Sequence, residues 1–169
     1  MIDNQALLEV LDEQQGRCVV LDVWENEPYI NISLLKRIDL ATAHIAGYSS
    51  DGKRAGAEMI FQACVRYFNL PDTGKNRSAE RDLVVRINEC FDVVRATQEA
   101  VLACYDIGED DQRLRGALLH GDGQDRGDLF DQLRKNYPLR REFSHCQIAN
   151  SADLDEKVLN ALQALGFGV

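Results

Sequence analysis

Three side chains in the first third of the sequence have the types and spacing for proton transfer. Asp22 and Glu27 lie in Cys18-Val-Val-Leu-Asp-Val-Trp-Glu-Asn-Glu-Pro28, and His44 lies in Ile38-Asp-Leu-Ala-Thr-Ala-His-Ile-Ala-Gly-Tyr48. Each string is an apolar run that ends in polar residues. Such runs read as strands covered on both faces, and side chains at their carboxyl ends meet at the mouth of an α/β sheet. A carboxylate bonded to one ring nitrogen fixes the histidine tautomer. The other nitrogen can then take a proton from a substrate hydroxyl and return it. If the two strands are neighbours, Glu27 and His44 form such a pair.

Blander readings stand beside this one. A lone histidine such as His44 at a strand end is often only a hydrogen-bonded core residue, and Glu-Pro taken alone favours Glu27 as a cap on the turn from Ile32 to Lys36. Asp22 either contacts a cofactor in the crevice or is a strand-end carboxylate without a role. Glu25 is the weaker acid candidate and is expected to face solvent. Gly47 leaves room for a ligand to approach the backbone. Tyr48 offers a hydroxyl to a substrate, or packs. Lys53 and Arg54 stand at a helix N-terminus, where the macrodipole disfavours cations; they are solvated, or serve a phosphate-bearing ligand.

The elements that position these groups follow from periodicity and punctuation. Asp3 is placed to cap a helix through Ala6 to Leu11 that Gly16 ends. Cys18 to Val23 and Ile38 to Ile45 are the buried strands, with a helical turn over Ser33 to Lys36 between them. Ser50 or Asp51 caps a long helix from Lys53 to Phe68. Its apolar residues are spread widely around it, which predicts burial on most sides. Pro71 to Ala79 has linker composition, so a boundary is placed at 71–81.

The remainder alternates again. Leu83 to Ile87 is a strand. Asp92 to Tyr105 is a helix with Val93, Val94, Thr97, Val101 and Leu102 inward. A short helix covers Asp110 to Leu119, and His120 to Gly127 is a loop. Asp128 to Tyr137 is helical, Ser144 to Ala149 is a strand, and Leu154 to Leu165 is a helix stopped by Gly166. The fold class is α/β: the last strands of a Rossmann-like domain over 1–70, then a small α+β domain over 82–169. Arg134, Lys135, Arg140 and Arg141 form a basic cluster, read as a solvated helix end in preference to an arm reaching an anionic substrate.

The 169 residues carry a formal net charge of −9 and are 45% hydrophobic. A core is therefore available, and so acidic a chain repels phosphate backbones, which sets nucleic acid aside as a partner. The five cysteines, Cys18, Cys64, Cys90, Cys104 and Cys146, form no C-x-x-C pair. They read as buried thiols of a reducing compartment. No signal peptide and no membrane-spanning run is expected, and the reading is a cytoplasmic protein.

The strings around Asp22, Glu27 and His44, with Gly52-Lys-Arg54, resemble the NAD-dependent D-2-hydroxyacid dehydrogenases. His44-Ile-Ala-Gly-Tyr48, Leu133-Arg-Lys-Asn-Tyr137 and Arg140-Arg-Glu-Phe143 are similar to the branch that oxidises 4-phospho-D-erythronate in vitamin B6 biosynthesis. The resemblance implies that His44 is the proton donor and acceptor and Glu27 its partner. It implies NAD contacts at Asp22 and Gly47, a substrate contact at Tyr48, and a homodimer through 82–169. The family's G-x-G-x-x-G loop, N-terminal substrate domain and active-site arginine have no counterpart here. The expectation is a C-terminal part, inactive alone. The alternatives are a non-catalytic dimerisation module and one half of a split dehydrogenase with an N-terminal complementing chain.

Overall fold

Asp3 opens the first helix: its Oδ1 accepts the Ala6 N–H at 2.9 Å, which satisfies one of the donors a helix start leaves unpaired. The computed structural model describes residues 2–13, 16–71, 83–88, 92–120 and 125–169. The expected linker at 71–81 lies, Pro71 apart, outside them. The architecture is mixed α/β, with two small parallel sheets among seven α-helices in the described residues. Contacts divide the chain into two compact units. One joins residues 1–47 to 107–138, and the other joins 48–106 to 139–169. This division differs from the expected one at 71–81. Residues 107–138 bond back to the first strands, while the long helix bonds to residues 140–142.

In the first unit, α1 (Asn4–Glu13) is followed by β1 (Val20–Leu21), α2 (Ile32–Leu35) and β2 (Leu40–Ala41). The two strands are parallel, with Val20 opposite Leu40 and Leu21 opposite Ala41. They are far shorter than the runs Cys18 to Val23 and Ile38 to Ile45. Side chains take over the backbone pairing at both ends: Asp39 accepts the Val19 N–H, and Asp22 accepts those of Ile45 and Ala46. The expected cover on both faces is also incomplete, since Val20 and Val23 are exposed. Asn31, not Glu27, caps α2, accepting the Leu34 N–H at 3.1 Å.

The outer edge of β2 is closed by a helix. In α5 (Ile107–His120), longer than the expected 110–119, the Asp111 Oδ1 accepts the Ala41 N–H at 2.8 Å. Arg115 bonds Asp111 at 2.8 Å and donates to the carbonyls of Leu35 and Ile38. Leu34, Leu35, Leu114, Leu118 and Phe130 are fully buried. Each such side chain contributes about 1.5–3 kcal/mol by leaving water. Phe130 belongs to α6 (Arg126–Lys135), which starts earlier than expected and packs on α5.

In the second unit, β3 (Leu83–Val85) pairs in parallel with β4 (Cys146–Ile148), Leu83 opposite Cys146. The C-terminal segment continues this sheet through Gly168, whose carbonyl accepts the Ile148 N–H at 2.7 Å. Over it lie α4 (Val93–Cys104) and α7 (Glu156–Ala164), capped by Asp92 and Asp155. Gly166, at φ +96°, takes the left-handed turn that ends α7. The inward face of α4 is built differently from expectation. Ala96 and Ala100 are buried, Val93 and Val101 pack beside them, and Val94 and Leu102 are exposed. The small side chains let α4 approach α7 and the sheet closely.

The long helix α3 (Ser50–Phe68) also belongs to this unit, and burial on most sides does not hold. Asp51 and Val65 are its buried residues, and Met59, Ile60, Phe61, Tyr67 and Phe68 are exposed. The thiols depart from expectation too: Cys18 and Cys64 are exposed, Cys104 is half-buried and Cys146 is buried, with Cys90 outside the described residues. Burial and the neighbouring Cys146 push the Cys104 thiol up. Among the described residues no helix is long and apolar enough to cross a membrane.

Candidate active site

Two loops leave the carboxyl ends of β1 and β2, and one tryptophan ties them together. Trp24 is buried, its indole N–H donates to the Thr42 carbonyl at 2.9 Å, and its backbone N–H donates to the Glu27 Oε1 at 2.8 Å. Glu27 is thereby oriented by the backbone on one oxygen. Its other oxygen, Oε2, lies 2.8 Å from the His44 Nδ1. The carboxylate is mostly buried, with 17% of its side chain exposed, while the imidazole is 44% exposed. Glu27 thus holds the proton on Nδ1. The Nε2 edge has no hydrogen-bond partner among the described residues.

Asp22 shapes the loop that carries the histidine. Its Oδ1 accepts the Thr42 hydroxyl and the Ile45 N–H, both at 2.7 Å, and its Oδ2 accepts the Ala46 N–H at 3.1 Å. The Asp22 carbonyl accepts the His44 N–H at 2.8 Å. These bonds hold His44 at φ +54°, a left-handed conformation that costs an L-residue about 1–2 kcal/mol. Asn26, beside Glu27, is likewise left-handed at φ +58°. Left-handed backbone thus stands at both residues' loops, a pattern that clusters at positioned groups.

The other candidates are placed as follows. Gly47 has open space where a side chain would begin, so a ligand could approach it. Tyr48 falls in the second unit, with the Lys53 ammonium 4.1 Å from its ring centre. Arg54 lies 3.7 Å from Asp51. Glu25 is not a free acid: its Oε2 accepts the backbone N–H of the buried Asn4 at 2.8 Å. The four basic residues fall in different units. Arg134 and Lys135 are on α6 in the first unit, whereas Arg140 and Arg141 belong to the second. Arg140 lies over the Tyr105 ring and Arg141 bonds Asp51 at 2.9 Å. Trp24 and Thr42 are the positioning residues the sequence reading missed. A tryptophan inside the Asp22-to-Glu27 string was the available signal.

A second polar cluster sits at the start of α3. Ser49 caps the helix, accepting the Gly52 N–H at 3.0 Å, where Ser50 or Asp51 was expected to do so. The Ser49 hydroxyl donates to Glu142. The Asp51 Oδ2 accepts from the Glu142 N–H at 3.0 Å and from Arg141, and lies 3.3 Å from the His145 Nδ1. Burial pushes the Asp51 carboxyl up, but these bonds and the neighbouring cations outweigh it and leave it below its ordinary 3.8.

An α/β frame carries a carboxylate–imidazole pair at its strand ends, and comparison with known proteins finds dehydrogenases that the chain resembles over part of their length. The chain is homologous to the erythronate-4-phosphate dehydrogenases. It is 42% identical to that of Marinobacter nauticus over 170 aligned residues, 99% of this chain and 44% of the relative. It is 41% identical to that of Saccharophagus degradans and 40% to that of Cellvibrio japonicus, covering 43% and 45% of them. The chain therefore spans less than half the length of these relatives. A family model described as a domain of unknown function (DUF3410) matches residues 83–166.

Proposed function

We propose that this chain supplies the acid/base pair of an NAD-dependent dehydrogenase that oxidises the C2 hydroxyl of 4-phospho-D-erythronate to 3-hydroxy-2-oxo-4-phosphooxybutanoate. The observation that carries the reading is the 2.8 Å bond from the His44 Nδ1 to Glu27, with Nε2 left open. The kinship with erythronate-4-phosphate dehydrogenases supports the substrate and the place in pyridoxine biosynthesis. His44 Nε2 takes the hydroxyl proton while Glu27 stabilises the imidazolium that forms. NAD, when bound, accepts the hydride from C2. By the same kinship Gly47 borders the cofactor and Tyr48 the substrate. Residues 82–169 serve a homodimer in this reading.

The described residues do not by themselves hold a dinucleotide. The sequence has no G-x-G-x-x-G loop, and three donors already occupy the Asp22 carboxylate. Asp22 acts on a cofactor through the loop it shapes. We infer that catalysis requires residues equivalent to the portion of the relatives that this chain does not match. The test is NADH formation from 4-phosphoerythronate by the chain co-expressed with that portion of the Marinobacter nauticus relative. Turnover of 4-phosphoerythronate, with at least tenfold weaker kcat/KM for unphosphorylated erythronate, supports the reading. A folded assembly that binds NAD and does not turn over 4-phosphoerythronate rejects it.

A further inference from the structure

The loop that carries Glu27 holds a second glutamate, and one buried asparagine engages it. Asn4 is 2% exposed, in the first turn of α1. Its Oδ1 accepts the Glu25 backbone N–H at 3.0 Å, and the Glu25 Oε2 accepts the Asn4 backbone N–H at 2.8 Å. Each residue thus binds the other's backbone with its own side chain. The Asn4 Nδ2 donates to the Ile2 carbonyl at 3.2 Å, so both ends of the amide are used. A helix start leaves its first N–H groups unpaired and carries partial positive charge, which favours the Glu25 carboxylate there. A buried amide is stable only where its bonds are made, and an apolar side chain at position 4 could not accept from Glu25.

The consequence reaches His44 through Trp24. The consecutive amides of Trp24 and Glu25 are both held by side-chain oxygens, the first by Glu27 at 2.8 Å and the second by Asn4. The Trp24 indole is fixed by the Thr42 carbonyl, and the peptide that follows Trp24 is fixed by Asn4. Held on both sides, the Trp24 N–H stays aimed at the Glu27 Oε1, and the Oε2 stays on the His44 Nδ1. We propose that Asn4 is a positioning residue for the Glu27–His44 pair, acting through Glu25 and Trp24. The two glutamates divide the work: Glu25 tethers the loop to α1, and Glu27 orients the imidazole. This rests on the acid/base reading above and deepens it.

The test reads the His44 tautomer in the isotope-labelled full chain by proton–nitrogen correlations of the imidazole rings. The His44 signals are those lost in His44→Ala. In wild type the proton is expected on Nδ1. Asn4→Ala is expected to lower the ratio of the Nδ1–H to the Nε2–H form at least about fivefold, the weight of one lost hydrogen bond. Asn4→Asp, which keeps an acceptor for the Glu25 N–H, is expected to hold the wild-type ratio. Asp3→Ala removes the α1 cap and lowers stability in urea, yet is expected to leave the ratio unchanged, which separates positioning from support of the helix. Glu25→Ala breaks the tether from the other side at a half-buried position and replaces Asn4→Ala if that variant does not fold. It is expected to lower the ratio in the same direction. A wild-type proton on Nε2 would reject the Glu27–His44 reading and the proposal with it. A wild-type proton on Nδ1 that Asn4→Ala, or Glu25→Ala in its place, leaves unmoved would overturn the proposal alone. An equal shift in Asp3→Ala would do the same.

Discussion

The Nδ1 of His44 and the Oε2 of Glu27 are 2.8 Å apart although the residues come from separate loops. The Glu27 Oε1 is fixed by the Trp24 amide. Replacing Glu27 by Gln keeps an oxygen for Trp24 and turns an amide N–H₂ toward Nδ1. That forces the proton to Nε2, the wrong nitrogen for accepting from a hydroxyl. In the assembled enzyme kcat/KM is expected to fall about 10²-fold or more, with KM changed little. Steady-state kinetics at saturating NAD checks this.

The left-handed backbone at His44 predicts a stability difference between two inactive variants. His44→Gly removes the Cβ that φ +54° strains, while His44→Ala keeps it. The glycine variant is expected to be more stable than the alanine variant by about 1 kcal/mol. The reverse order is usual for exposed sites with ordinary φ. Urea unfolding of the two variants decides the matter.

Arg115 joins α5 to the turn before β2 by bonds to the Leu35 and Ile38 carbonyls, and it neutralises the Asp111 that holds the Ala41 N–H. Arg115→Met leaves a mostly buried carboxylate and two carbonyls without their donor. A loss of about 3 kcal/mol is expected, and Asp111→Asn in the same chain should restore part of it. Chemical denaturation of the single and double variants measures the coupling.

Asp51 sets an acid limit for the second unit. Its folded pKa lies below its ordinary value of 3.8, so the charged form is favoured by folding. The stabilisation it brings is fully present above the unfolded value and is lost as pH falls through the folded one. Asp51→Asn is expected to destabilise the chain by about 1–3 kcal/mol at neutral pH. The gap to wild type should close below about pH 4. Thermal unfolding across the pH range shows whether it does.

The Glu27–His44 pair was legible in the sequence because each residue follows an apolar run at a strand end, and the parallel pairing of those runs follows from their continuity. Strand lengths were not legible, because Asp22 and Asp39 replace ladder bonds with side-chain bonds that periodicity does not register. The burial of α3 was misjudged for a different reason. Its apolar residues are spread around the helix, and within its unit most of them are exposed. Hydrophobic spacing registers apolar surface without saying whether it is covered. The association of residues 107–138 with the first strands turns on two side chains of α5, Asp111 and Arg115, whose partners are backbone atoms some 70 to 80 positions earlier.

The most direct test of the account compares wild type and His44→Ala, each assembled with the unmatched portion of the relative, for NADH formation from 4-phosphoerythronate. An α-keto acid that reoxidises the product cofactor draws the reaction forward. The account predicts turnover by wild type and a loss of at least about 10³-fold in kcat/KM for His44→Ala, with assembly and NAD binding unchanged. Equal turnover by the two assemblies would contradict it and remove His44 from the chemistry.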